Sequence, residues 1–306
     1  MKILFILLAL LADIPSGYYD SYCSKETIDS VYTASLAETS EEYGADAEAA
    51  AWYYMADWAY NVSLMDLSEH CIDVALTSDI SDQVLRADCL SMASLVARIR
   101  GDLAGAIEHA EECLLIDRES GSQDNISSSL NNIAGLYLMH GDAQTAAIYI
   151  DEAIRIESKS GRSPYLAIRY GVASEIYAEL GDLPKALEYA DMALQIDSLD
   201  NRTDKIAVRR SQKAAVLMDM ERFNDAEREL KLALPVFISQ NSLNSLAITY
   251  AQLGEIAAWK GNVAEADAAF RESIRVSQSI RHIYMESRAS KGMYKLYKAL
   301  APAKAL

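Results

Sequence analysis

The chain has 306 residues, with 45 acidic against 28 basic side chains, a net charge of −17, and 51% apolar residues. That balance excludes a disordered acidic tail and a multi-span membrane protein. A pI near 4.7 argues against nucleic acid as a partner, because phosphate contact needs a basic face; five prolines and 13 glycines are too few for an all-β chain.

Lys2 is followed by the apolar run Ile3 to Ala12 and then by Asp13-Ile14-Pro15. A positive start and a short apolar run predict a secretory signal or N-terminal anchor over residues 1–17. The run is shorter than the roughly 20 residues that span a bilayer. Membrane contact is therefore expected only through this segment, and an exported, periplasmic or membrane-tethered location is expected over a cytoplasmic one. Residues 18–48 read as a lead-in. Within it, Ile28, Val31, Tyr32 and Leu36 give residues 24–40 the apolar stripe of a capping helix.

From there the chain repeats every 40 residues. Ala106, Ala146, Ala186, Ala226 and Ala266 keep that spacing, as do Ile116, Ile156, Ile196, Val236 and Val276. Gly101, Gly141, Gly181 and Gly261 form a third series, broken by Glu221, and Gly121, Gly161, Asn201 and Asn241 a fourth. A fixed period of this size is the mark of stacked repeats. Each unit reads as two helices. Gly181 ends the first in the left-handed conformation, Asp182 caps the second, and Pro184 suits its first turn. The alanines let paired helices approach closely. One pair cannot bury both its faces, so pairs must stack.

These residues resemble the tetratricopeptide repeat family, whose pattern runs W-x2-L-G-x2-Y, then A-x3-F, then P. Trp52 matches the pattern's Trp, and Leu90, Leu130, Tyr170 and Tyr250 stand in its place. Tyr137 and Tyr177 stand at the Tyr, and Ala106 to Ala266 at the small residue of the second helix. Ala110, Ile150, Ala190, Leu230 and Phe270 follow at the aromatic position. The closing Pro is absent, and the period exceeds the usual 34. The resemblance implies an all-α fold, a right-handed superhelical solenoid of stacked antiparallel helix pairs. Six repeats are placed over residues 49–286 and an incomplete seventh over 287–306. In that seventh unit Met293, Tyr294, Leu296, Tyr297 and Leu300 are expected to lack cover unless a partner or further chain completes it.

Chemistry is sparse. The sequence holds no phosphate loop, dinucleotide fingerprint, HExxH or GxSxG, so no enzyme activity and no cofactor are expected. His109 and Cys113 share a helix face near Cys71 and Cys89, which leaves a mixed zinc site as a minor alternative. However, Cys113 occupies the core position of Ala153, Ala193 and Ala233, the place of a small filler. If the protein is exported, Cys89–Cys113 is the disulfide to test first.

In the family, the first helix of each pair lines a concave groove that receives peptides or partner helices. The resemblance places Tyr53, Asp57, Tyr60, Asn131, Met139, Glu175, Glu179, Met218, Glu255 and Trp259 there. Glu175, Glu179 and Glu255 imply a protein or peptide ligand of basic character. No Lys occupies the position of the family's carboxylate clamp, so that clamp is not carried over. Net charge runs from −13 over residues 1–82, through −10 over 83–200, to +6 over 201–306, a field suited to orienting partners. Arg202, Lys205, Arg209 and Lys213, with Arg210 beside them, form a basic stripe that reads as a solvated face paired with neighbouring acids.

The expected function is a non-catalytic binding scaffold. It resembles the exported repeat region of bacterial membrane-bound regulators, which implies a sensory role. An envelope-assembly or nutrient-uptake component is the alternative, and a metal-dependent enzyme a weaker one.

Overall fold

The computed structural model describes residues 25–62, 64–161, 164–280 and 283–300. The predicted export segment, residues 1–17, lies outside them, as does the stretch 302–306. Among the described residues the secondary structure is helical with no strand. The helices are α1 (Lys25–Tyr43), α2 (Ala47–Asn61), α3 (Met65–Thr77), α4 (Gln83–Arg100), α5 (Leu103–Ser120), α6 (Gln123–His140) and α7 (Ala143–Glu157). They continue as α8 (Pro164–Glu179), α9 (Leu183–Leu199), α10 (Thr203–Asp219), α11 (Phe223–Ser239), α12 (Leu243–Trp259), α13 (Val263–Ser279) and α14 (Ile283–Leu300). Two compact units result, one ending at Ala153 and one beginning at Ile154. Within each, helices pack on their sequence neighbours, as stacked repeats require.

The predicted period is visible in the helix starts. Second helices begin at Leu103, Ala143, Leu183, Phe223 and Val263, each 40 residues after the last. The cause is local. Asp102 accepts a hydrogen bond from the Gly105 amide, Asp142 from Thr145 and Asp182 from Lys185, which satisfies N–H groups that a helix start leaves open. The preceding residue takes the left-handed conformation, with φ of 79° at Gly181. Glu221 breaks the glycine series in sequence but not in structure, since its φ is 59°.

The alanine row is the packing axis of each pair. Ala106 and Ala146 in the first unit are fully buried, as are Ala186, Ala226 and Ala266 in the second. Backbones approach closely enough there for serine hydroxyls to reach across. Ser94 Oγ donates to the Ala106 carbonyl and Ser174 Oγ to the Ala186 carbonyl, each at 2.8 Å. In the first unit Ile28 and Tyr32 of α1 are buried against Trp52 of α2, with the Tyr32 and Trp52 rings 4.7 Å apart.

One expectation changes. On α14, Leu296 is buried and Met293 partly so, against Ala257, Ala266 and Phe270; Tyr294 and Tyr297 are the exposed pair. Cover for the first two comes from α12 and α13, which present the preceding repeat's apolar face. Cys89 and Cys113 are free rather than bridged. They belong to different apolar clusters, and the Cys113 thiol turns toward the Ala87 carbonyl at 3.4 Å.

Candidate functional site

Between successive repeats runs a row of buried polar pairs, again in the 40-residue register. A carboxylate near the end of one second helix meets the residue twelve positions later on the next first helix. In the first unit Ser129 Oγ donates to Asp117 Oδ2 at 2.6 Å. In the second unit Arg169 lies 3.8 Å from Glu157, and Arg209 Nε donates to Asp197 Oδ2 at 3.0 Å. Asp197 is fully buried and Arg209 nearly so. One repeat on, Phe237 and Thr249 occupy the same two positions, and the series of charges stops.

The predicted basic stripe is dissolved into these contacts. Arg202 lies against Asp197, Lys205 is 3.4 Å from Asp204, Arg210 2.6 Å from Glu229, and Lys213 2.6 Å from Asp191. Pairing with neighbouring acids was expected; the burial of Arg209 between repeats was not. Its guanidinium fits because Gly171 has no side chain: a methyl group there would lie 2.3 Å from Arg209 Nη1.

Arg209 also reaches toward a cavity. Its Nη1 donates to Gln212 Oε1 at 2.8 Å. That fixes the amide's orientation, so Gln212 Nε2 faces Glu175 and donates to its Oε1 at 2.7 Å. Glu175 stands in a cavity of about 460 Å³ walled by α8, α10, α12 and α14. Glu179, Asp219, Gln252 and Arg288 also line it, with apolar floor from Val216 and Phe237. Glu175 keeps a face open to solvent, and partial desolvation against the wall raises its carboxyl above the ordinary value, against the opposing pull of Gln212 and Arg209. Asp219, also exposed, is raised by partial desolvation, which outweighs Arg288, and Glu179 and Glu255 add repulsion. Arg288 is held by Glu255 through two hydrogen bonds of 2.9 and 2.7 Å. The cavity is thus acid-rich and acceptor-rich, and a cation would settle charges that the walls themselves oppose.

The structure places the predicted site residues unevenly. Glu175 and Glu179 line this cavity, and Glu255 lines a neighbouring one of about 360 Å³ with Lys291 and Lys295. Met218 packs beside the core of Leu217 and Leu230. Trp259 is 60% exposed and stacks on Phe223, with centroids 4.4 Å apart. In the first unit Tyr53 and Tyr60 pack on the core edge, and Asp57 accepts from the Asn61 amide. Asn131 buries its Oδ1 without a partner, and Met139 is exposed.

Gln212, Asp219 and Gln252 were missed from sequence. The signal was available, because Gln212 and Gln252 are 40 residues apart. So were Asp117, Glu157 and Asp197, acids recurring beside an otherwise apolar series. The zinc alternative gains nothing: among the described residues no group of three His, Cys, Asp or Glu is placed to hold a metal ion. Burial pushes the Cys89 thiol up to about 12 and Cys113 to about 11, so neither offers a thiolate near neutral pH.

Neither a family model nor a curated protein sequence matches the chain. Solved structures do. RapI in its apo form is similar over 83% of this chain and 91% of that one, with a TM-score of 0.67 and 18% identity. A Rap protein complexed with competence and sporulation factor matches over 97% and 87%, with a TM-score of 0.66 and 13% identity. A signal transduction ATPase with a tetratricopeptide repeat sensor, from Pyrococcus horikoshii, matches over 94% of this chain and 46% of that one, with a TM-score of 0.66 and 14% identity. The recurring helix pairs, the buried alanine row and these likenesses show a tetratricopeptide-like helical repeat fold.

Proposed function

We propose that this chain is a non-catalytic scaffold that binds a protein or peptide segment of basic character, with the cavity walled by α8, α10, α12 and α14 as its site. The observation that carries this reading is the cavity's charge. Glu175, Glu179 and Asp219 line it together; partial desolvation raises Glu175 and Asp219, Glu179 adds repulsion at Asp219, and an incoming cation offsets both. The similar Rap protein, solved with competence and sporulation factor bound, supports a binding role for such a repeat array. A sensory role is favoured by the likeness to an ATPase whose repeats are described as a sensor. The apolar run Ile3 to Ala12 supports export or membrane tethering of the chain.

The test is a display library of random peptides selected on the full chain. Enrichment of Lys- or Arg-containing segments, lost in the Glu175→Gln/Asp219→Asn variant, is expected. Enrichment of neutral or acidic segments, or retention unaffected by the double substitution, overturns the reading.

A further inference from the structure

This inference rests on the reading of the cavity as the binding site and asks which cation it takes. We propose that the cavity holds the guanidinium of an arginine side chain, and that Gln252 is the residue that selects it over the ammonium of lysine.

The chain carries its own precedent one repeat earlier. There Gln212 Oε1 is satisfied by the Arg209 guanidinium at 2.8 Å, and the same arginine holds Asp197 at 3.0 Å. Forty residues on, Gln252 takes the place of Gln212. The rest of the set has changed: Thr249 stands for Arg209, Ala215 for Glu175 and Phe237 for Asp197. The second repeat therefore keeps the acceptor and loses the donor. Gln252 is 3% exposed and lines the cavity, and its Oε1 has no hydrogen-bond partner. Thr249 Oγ1 is also buried and unpartnered. A buried acceptor in this state bears a desolvation penalty that an incoming donor removes.

Guanidinium suits this arrangement. It is planar, more weakly hydrated than ammonium, and presents five donors in a fixed fork. One edge can meet Gln252 while another meets the carboxylates. Glu175 is ready for that contact, because Gln212 holds only its Oε1. Its orientation is set in turn by Arg209. Asp219 lies on α10, so acceptors face the cavity from three helices. Ammonium is a compact, strongly hydrated point charge. It can neutralise the carboxylates, but its stronger hydration makes reaching the buried Gln252 oxygen more costly than for guanidinium.

The test uses the full chain and two small probes, N-acetyl-arginine amide and its lysine counterpart, followed by ligand-observed NMR. The arginine probe is expected to bind about tenfold more tightly, the worth of roughly one net hydrogen bond to the Gln252 oxygen. Gln252→Leu removes the orphaned acceptor, so folded stability should not fall, while arginine binding drops to the lysine level. Thr249→Arg supplies the missing guanidinium from within and should abolish arginine binding with the helical signal retained. Equal binding of the two probes overturns the proposal, as does arginine binding unchanged in Gln252→Leu. If the peptide selection enriches lysine and arginine alike, the basic-segment reading stands and this one falls; if it enriches neither, both fall.

Discussion

The Phe270 ring stands where Gly254 has no side chain: a methyl group at position 254 would lie 2.7 Å from the ring, and one at Gly292 2.6 Å. Phe270 is the largest residue of the series Ala110, Ile150, Ala190, Leu230 and Phe270, and it is 1% exposed. The two glycines that flank it sit inside α12 and α14, where alanine would ordinarily favour the helix by about 1 kcal/mol. Gly254→Ala is nevertheless expected to destabilise, by about 1–3 kcal/mol, because the ring cannot retreat in a packed core. Phe270→Leu in the Gly254→Ala background should recover most of that loss. Denaturant unfolding of the two single variants and the double gives the coupling directly. Simple additivity would mean the ring and the glycine do not compete for space.

Glu221 supplies the opposite case, a side chain where the register wants none. Its φ of 59° is matched by 79° at Gly181 and 76° at Gly261 in the same series. The left-handed conformation costs a residue with a Cβ roughly 1–2 kcal/mol, of which glycine returns part through its freer unfolded state. Glu221→Gly should therefore stabilise the protein by about 0.5–1 kcal/mol. Glu221→Ala keeps the Cβ and should gain nothing, which separates backbone relief from the loss of a charge. Thermal unfolding of the three proteins is the measurement.

Much of the fold was legible in the sequence because it is set by local chemistry repeated on a ruler. Ala186, Gly181 and Asp182 each act within one helix pair, and their spacing alone locates them. The Glu175 and Glu179 carboxylates could be placed on a shared face by the same periodicity. Gln252 shares the register of Gln212, but its significance needs the structure, which shows Arg209 paired with Gln212 and the Gln252 amide oxygen buried without such a partner. Arg209 was read as a surface charge for a related reason. Helical spacing tells which side chains share a face, but which neighbour covers that face depends on stacking, and Gly171 shows its role only when the next repeat is present. Cys113 is buried as a core filler, and helical spacing places Asp117 beside it, yet its Ser129 neighbour comes from the next helix.

The Asp197–Arg209 pair is expected to matter for integrity of the second unit. Asp197 is fully buried, with Arg209 on one oxygen and Arg202 against the other. Removing one member of a buried pair leaves an uncompensated charge, at a cost of about 3–5 kcal/mol. Arg202 remains beside Asp197, so Arg209→Met should fall at the lower end of that range. Gly171→Ala should act in the same direction by displacing the guanidinium. Replacing both partners, Asp197→Phe with Arg209→Thr, copies the natural pair Phe237 and Thr249 and should be milder than Arg209→Met alone, since no buried charge is stranded. A double variant less stable than Arg209→Met would show that the ion pair itself, not the avoidance of a lone carboxylate, carries the stability.

Asp46 gives a pH dependence with a definite sign. It stands just before α2, and its side chain ties down the α3–α4 connection. Its carboxylate accepts from the Ser81 hydroxyl at 2.7 Å, the Ser81 amide at 3.1 Å and the Asp82 amide at 2.8 Å. These hydrogen bonds, the Ser81 hydroxyl first, hold Asp46 below the ordinary carboxylate range. A depressed folded value means the contribution is fully present above the unfolded value of about 3.9 and is lost as the pH falls through the folded one. Asp46→Asn keeps the shape but not the charge. It should therefore be less stable than the parent at pH 7, and the gap should close as the pH is lowered below about 3.9. Ser81→Ala removes the largest of the three causes, so in that background the gap should be smaller and its closure, starting at the same pH, should be complete at a higher one. Urea unfolding across this range reads both effects, and a gap that stays constant down to pH 2.5 would mean the charge on Asp46 contributes nothing to the fold.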